Sequence, residues 1–217
     1  MRIRRTANAG VLLTLDTITI LLDGVCQQVH PYLPTPAEIR SELLENAPDI
    51  VAFTHEHQDH FCREYAQSYE KKTLRPVLGP ESLPVDYVHK GMVQTGGVTI
   101  RPMQSRHIGK AGRTTDHRSY VIAGTECVWF LGDASPLQFQ NTTVEPKPHV
   151  LIVPYAYVTT SVGWQVVEQL SPHTLVIVHM PLRNDDPAGL WDLVGRNLAG
   201  REELRILIPE LGETVEA

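Results

Sequence analysis

Residues 54–61 read Thr-His-Glu-His-Gln-Asp-His-Phe, which puts three histidines, an aspartate and a glutamate into eight positions. They follow Asp-Ile-Val-Ala-Phe, an apolar run with the character of a buried strand. Imidazoles and carboxylates are costly to bury without partners, and a metal ion would satisfy them. On extended backbone, residues two apart point the same way, so His55 and His57 can chelate one ion while Glu56 points away. If the chain then turns into a helix over about 61–70, Asp59 and His60 swing to a neighbouring position and can serve a second ion.

Three more chemistry-bearing residues stand directly after apolar, strand-like runs. His107 follows 98–106, Asp133 follows 126–131 and His179 follows 174–178. In layered folds, side chains from distant segments converge beyond the strand ends. His107 would complete a three-histidine face for the first ion, and His179 an Asp-His-His set for the second. Asp133, with two carboxylate oxygens, could bridge both. His117 lies ten residues beyond His107 and is the alternative third histidine; it would otherwise line the pocket. A nitrogen- and carboxylate-rich set with an open position suits catalytic Zn2+, and Mn2+ or Fe2+ can use similar ligands. The chemistry expected is hydrolysis by water acidified to a pKa of about 7, with Asp59 holding the nucleophile and accepting its proton. The same ligands would also serve a non-catalytic metal-binding or regulatory protein.

The stretch 105–118 holds Arg106, Lys110, Arg113 and Arg118 against one acid, Asp116, inside a chain of net charge −6. It reads as a solvated loop or as an anion-binding rim beside the metals. Tyr155 and Tyr157 follow another strand end, where either could present a pocket hydroxyl or pack as a core or rim tyrosine. His30, His89, His149 and His173 read as surface or loop residues. Asp23 reads as organising backbone near the site.

The elements that must position these residues can be outlined. The runs 11–16 and 17–23 suggest a β-hairpin turning at Asp16-Thr17. Thr35 as N-cap, Pro36 at the first helical position and Glu38 in a capping box predict a helix over about 36–46. Residues 63–71 predict a short exposed helix. From 76 to 131 the character is mostly β, and beyond it strands at 149–155, 174–180 and 205–209 alternate with helices. The last helix is expected from Pro187, capped by Asp186, with Leu190, Leu193, Val194 and Leu198 on one face. The two halves look alike in outline, β-rich first and then alternating.

With 217 residues, 42% of them apolar and 20% charged, one domain over 1–217 with sheets inside and helices outside is the simplest architecture. The acidic balance offers no global field for nucleic acid or an anionic membrane. Asp16 and Thr17 interrupt the apolar N-terminal run, which argues against a leader. The three cysteines, Cys26, Cys62 and Cys127, make no disulfide framework; free thiols point to a cytoplasmic protein. A small-molecule partner is expected, and a homo-oligomer is left open.

The pattern His-x-His-x-Asp-His at 55–60 resembles the signature of the metallo-β-lactamase superfamily at every fixed position. His107, Asp133 and His179 match that family's later ligands in chain order, and Ile-Leu-Leu-Asp at 20–23 resembles its early strand ending in aspartate. The resemblance spans roughly residues 10–185. It implies an αββα sandwich of two mixed β-sheets flanked by helices (class α/β, α+β) and a dinuclear site at one sheet edge. It also implies hydrolysis, and a small, anionic phosphoester or lactone suits the basic stretch 105–118. The endings Gly-Asp-Ala-Ser and Val-Ile-Val-His-Met-Pro look closest to the lactonase-like branch. Histidine rather than glutamate at position 57 favours hydrolysis over oxygen reduction, and Phe61-Cys62 departs from the glycines usual in glyoxalase II-like members. A nuclease or phosphodiesterase of the same superfamily is the alternative, weakened by the acidic balance and the lack of room for a substrate domain.

Overall fold

A computed structural model describes residues 1–30, 32–110, 114–141 and 145–217. The first sheet is built from β1 (Arg2–Arg5), β2 (Val11–Leu15), β3 (Ile18–Leu22), β4 (Ile50–Ala52), β5 (Val77–Leu78) and β6 (Val88–His89), and is closed by β14 (Thr214–Glu216). Its order is β14-β1-β2-β3-β4-β5-β6. The second contains β7 (Val93–Thr95), β8 (Val98–Arg106), β9 (Asp116–Ala123), β10 (Cys127–Phe130), β11 (Val150–Pro154), β12 (Thr174–Val178) and β13 (Arg205–Leu207), in the order β13-β12-β11-β10-β9-β8-β7. Among the described residues, four α-helices, α1 (Ala37–Glu45), α2 (Arg63–Thr73), α3 (Ser161–Leu170) and α4 (Leu190–Leu198), flank the two sheets.

Both sheets are mixed, and both change direction the same way. In the first, β14 to β3 pair antiparallel and β3 to β6 parallel. In the second, β7 to β10 pair antiparallel and β10 to β13 parallel. The hairpin expected at Asp16-Thr17 is the β2–β3 pair, with Leu15 opposite Ile18 and Asp16 in left-handed conformation.

Alternate residues of the strands feed different cores, as the two-residue period requires. Leu13, Ile20, Leu22, Ile100, Ile122, Phe130, Ile152 and Val176 pack between the sheets. Their neighbours Val121, Trp129, Leu151, Val153, Leu175 and Ile177 face outward, against Trp164 and Val167 of α3 and Val194 of α4. On the other side Leu21, Val51 and Phe53 meet Ile39 and Leu43 of α1 and Tyr65 and Tyr69 of α2. The result is an αββα sandwich. Burial on both faces explains why the central strands are continuous apolar runs, and each large side chain so sealed contributes about 1.5–3 kcal/mol.

Local expectations are corrected at three places. The capping box at Thr35 does not form. Pro36 occupies the N-cap and helix α1 starts at Ala37, while the Thr35 hydroxyl accepts the Cys26 backbone N–H at 3.0 Å. Helix α2 is not simply exposed, because Tyr65, Ala66 and Tyr69 form a buried face. Helix α4 begins at Leu190, since Gly189 takes a left-handed conformation; Asp186 still caps it, accepting the N–H groups of Leu190 and Trp191 at 2.9 and 2.8 Å. The basic-then-apolar N-terminal run is the paired strands β1, β2 and β3. Among the described residues, no helix is long and apolar enough to cross a membrane.

Candidate metal centre

Asp23 and the segment 54–60 enter the site from the ends of β3 and β4, which are parallel neighbours. Asp23 is fully buried and left-handed at φ 47°. Its Oδ1 accepts the Thr54 N–H at 2.7 Å and its Oδ2 accepts the Thr54 hydroxyl at 2.6 Å. The same Oδ2 lies 2.8 Å from Nδ1 of His60. A carboxylate only accepts, so His60 carries its proton on Nδ1 and leaves the Nε2 lone pair free. The single hydroxyl hydrogen of Thr54 goes to Asp23, so Nδ1–H of His55, 2.9 Å away, must donate to Thr54. His55 therefore also presents an unprotonated Nε2. The chain then turns, with the N–H groups of His60 and Phe61 both bonded to the His57 carbonyl at 2.9 Å.

From the other sheet, His107 follows β8 and forms a bridge with Ala134. Its Nδ1–H donates to the Ile108 carbonyl at 2.7 Å, again leaving Nε2 free. Asp133 follows β10 through Gly132, whose φ of 52° and close fit against Thr54 leave no room for a Cβ. Asp133 Oδ2 sits 3.5, 3.7 and 3.7 Å from Nε2 of His60, His107 and His179. His179 follows β12 at φ 64°, an uncommon conformation for a residue with a side chain. Its N–H bonds the Asn8 carbonyl at 3.1 Å, its Nε2 lies 3.3 Å from Nδ2 of Asn8 and 3.2 Å from Oδ2 of Asp59.

Two three-residue sets result, His55-His57-His107 and Asp59-His60-His179, each with its ligand atoms within 4.8 Å of one another. Asp23, His55 and His60 satisfy the same distance, but the Asp23 oxygens are already taken by three donors. Among the described residues, six buried imidazole nitrogens have no partner, and five belong here: Nε2 of His55, His60, His107 and His117, and Nδ1 of His179. Orphaned buried lone pairs in this number are costly unless an electrophile completes them. The donor set fits divalent metal: imidazole nitrogens and carboxylates, with outer partners fixing the tautomers.

The electrostatics follow from burial and close packing. Desolvation holds His55 well below the ordinary imidazole value and brings His117 to about 3. His60 is pushed down by burial too, yet Asp133 and Asp23 outweigh it and hold the metal-free ring well above that value, so a bound cation would have to displace its Nε2 proton. Burial raises Asp133, but His179 and His60 bring it well below the usual carboxylate range. Asp59 is likewise raised by burial and lowered on balance by His179.

The residues expected to touch substrate are dispersed. Tyr155 lines the mouth with Ile108, Asp133, Pro154, Ala156 and His179. Tyr157 is fully buried and its hydroxyl donates to the Ala134 carbonyl at 2.9 Å; it is a core residue. Arg106 and Lys110 are exposed, and Arg113 lies outside the described residues. Arg118 is occupied by Asp116 at 3.5 Å. His117 is fully buried, with its ring 5.0 Å from that of His55 and 5.8 Å from that of His107.

Three contributors had no signal in the sequence. Asn8 lies in the turn after β1. Tyr32 stands edge-on to His179 at 4.6 Å. Arg5, buried and lowered by desolvation to about 10, donates to the carbonyls of Ala7 and Pro209 at 3.1 and 3.3 Å and to that of Met180. It thereby ties the Asn8 turn to the residue after His179.

Solved structures share this architecture. A possible metal-dependent hydrolase from Veillonella parvula superposes with a TM-score of 0.76 at 19% identity, covering 100% of this chain and 99% of the other. An isothiocyanate hydrolase from Delia radicum gut bacteria gives 0.71 at 18%, covering 100% and 99%. In sequence, the UPF0282 protein of Pyrobaculum aerophilum is 26% identical, over 72% of this chain and 67% of its own. Residues 3–179 match the family described as Beta-lactamase superfamily domain. With that match spanning most of the chain and two mixed sheets between helices, the chain belongs to the β-lactamase superfamily, in its metallo-β-lactamase fold.

Proposed function

We propose that this chain is a metal-dependent hydrolase with a dinuclear centre, most naturally of zinc. The observation that carries the reading is the set of orphaned Nε2 atoms on His55, His60 and His107, whose Nδ1 positions are each fixed by a hydrogen bond. His55, His57 and His107 would hold one ion, Asp59, His60 and His179 the other, with Asp133 between them. Bound there, divalent ions supply an acidified water and polarise the bond to be cleaved.

The protein's own part is positional and acid–base. Asp59 Oδ2, held 3.2 Å from His179, orients the attacking water and accepts its proton. Tyr32 and Tyr155 stand against His179 at the mouth and set the width available to substrate. Exposed Arg106 and Lys110 suit a small anionic substrate, a phosphoester or a lactone carrying a phosphate or carboxylate.

The test is a substrate panel of phosphomonoesters, phosphodiesters, lactones and isothiocyanates, assayed with added zinc or manganese. Activity on one class that disappears in His57→Ala, with metal content measured in both proteins, supports the reading. Stoichiometric metal without turnover across the panel would replace it with a binding role.

A further inference from the structure

The fourth orphaned Nε2 belongs to His117, which is not needed to complete either set. Its surroundings nevertheless determine its protonation. The Ser119 hydroxyl donates to the Leu131 carbonyl at 2.9 Å. Its one hydrogen is thereby used, so across the 3.0 Å contact between Ser105 and Ser119 Ser105 is the donor. Ser105 has then used its own hydrogen, and at 2.7 Å from Nδ1 of His117 it can only accept. His117 is thus locked with the proton on Nδ1 and a bare lone pair on Nε2. The same Nδ1-anchored pattern holds for His55, His60 and His107, whose anchors are Thr54, Asp23 and the Ile108 carbonyl.

The placement agrees with the protonation. His117 stands opposite Ser105 in the β8–β9 ladder, one strand over from the end that carries His107. Its ring separations of 5.0 Å from His55 and 5.8 Å from His107 compare with 4.5 and 4.8 Å among His55, His57 and His107. Two imidazoles sharing an ion through Nε2 bonds of about 2.0–2.1 Å place their ring centres at comparable separations. A core histidine kept only for packing would have Nε2 paired with a protein group, and this one has none.

We propose that His117 is a fourth imidazole ligand of the ion held by His55, His57 and His107, kept in its binding tautomer by the Ser105-Ser119-Leu131 chain. The inference rests on the dinuclear metal reading and specifies a crowded, nitrogen-rich first position beside a carboxylate-rich second one. Serine is required at 105 because alanine there would leave Nδ1–H unpartnered, and at 119 because alanine there would free the Ser105 hydrogen to donate to Nδ1 and reverse the tautomer.

The experiment loads isotope-labelled full-length protein with NMR-active cadmium and reads scalar coupling from the metal to each imidazole. Coupling to His117 as well as to His55, His57 and His107 is the expected result. Coupling to those three with none to His117 overturns the proposal, and coupling to no histidine overturns the metal reading itself. A second measurement uses Ser105→Ala, which keeps the ring in place. Zinc affinity, read by chelator competition, should fall about 10-fold or more, as for other outer partners of metal ligands. An unchanged affinity with an unchanged His117 tautomer also overturns it.

Discussion

Oδ2 of Asp23 and Nδ1 of His60 meet at 2.8 Å with both side chains sealed from solvent. The carboxylate thereby aims a histidine without spending itself on metal, and it holds the Thr54 N–H and hydroxyl in the same grip. Asp23→Ala would strand a buried N–H, a hydroxyl and an imidazole at once. Metal affinity should drop about 10–100-fold, and unfolding free energy by about 1–3 kcal/mol for each donor left unpaired. Chelator competition and denaturant titration measure the two effects. Wild-type affinity in this variant would deny Asp23 its orienting role.

Acid should destabilise the metal-free protein before its carboxylates titrate. Burial holds His55, His57 and His117 below the ordinary imidazole value of 6.5. The unfolded chain therefore binds protons in a range where these folded rings refuse them, and stability falls with pH from 6.5 toward the value of about 3 at His117. His60 runs the other way. Held above 6.5, its contribution is complete below that pH and fades as pH rises through its folded value. Asp59 and Asp133, both depressed, lose theirs only as pH falls below 3.8. Denaturant midpoints of apo-protein should decline between about pH 7 and about pH 5; a flat profile there contradicts the assignment.

Gly132→Ala tests the turn that delivers Asp133. An added Cβ would lie 2.6 Å from Cγ2 of Thr54 on backbone with φ of 52°. Thr54 cannot retreat without releasing Asp23 and His55. The left-handed conformation alone costs about 1–3 kcal/mol, so thermal melting should drop while metal binding weakens in the same variant. Melting within error of the parent protein would show that the turn tolerates a side chain.

The two tyrosines after β11 should behave oppositely. Tyr157→Phe removes a buried hydrogen bond to Ala134 and should cost about 0.5–1.5 kcal/mol of stability, with KM unchanged. Tyr155→Phe removes a hydroxyl from the lining of the mouth and should alter KM with little change in stability. Side-by-side melting curves and steady-state kinetics separate them, and a KM effect confined to Tyr157→Phe would reverse the assignment.

Much of this was legible because the residues concerned are local or follow long apolar runs. His55, His57, Asp59 and His60 occupy six consecutive positions, and β8, β10 and β12 are marked by the strands that carry them. Sheets inside and helices outside followed from alternating α and β segments, and the αββα sandwich was what the resemblance to the metallo-β-lactamase superfamily implied. What escaped notice depends on long-range assembly. Strands β5, β6 and β7 are two or three residues long, too short to show a period. Thr35 has the form of a cap, but the loop at Cys26 competes for its hydroxyl and wins. Asn8 and Tyr32 reach His179 from segments some 170 and 147 positions away, and no spacing rule could connect them. Ser105 and Ser119 look like ordinary strand serines until the β8–β9 register puts Ser105 opposite His117 and Ser119 diagonally across from Ser105, at 3.0 Å.

The shared run of antiparallel and then parallel pairing has a consequence for how the molecule can be divided. Each half carries an incomplete set: the first supplies His55, His57, Asp59 and His60, the second His107, Asp133 and His179. Cutting the chain between β6 and β7 would leave two fragments, neither carrying the full set of candidate ligands. The cut would also not be clean, because β14 crosses back to pair with β1 and would leave with the wrong piece. The two halves are alike in plan yet stitched together twice, once by the closing strand and once by the ligands that meet between them.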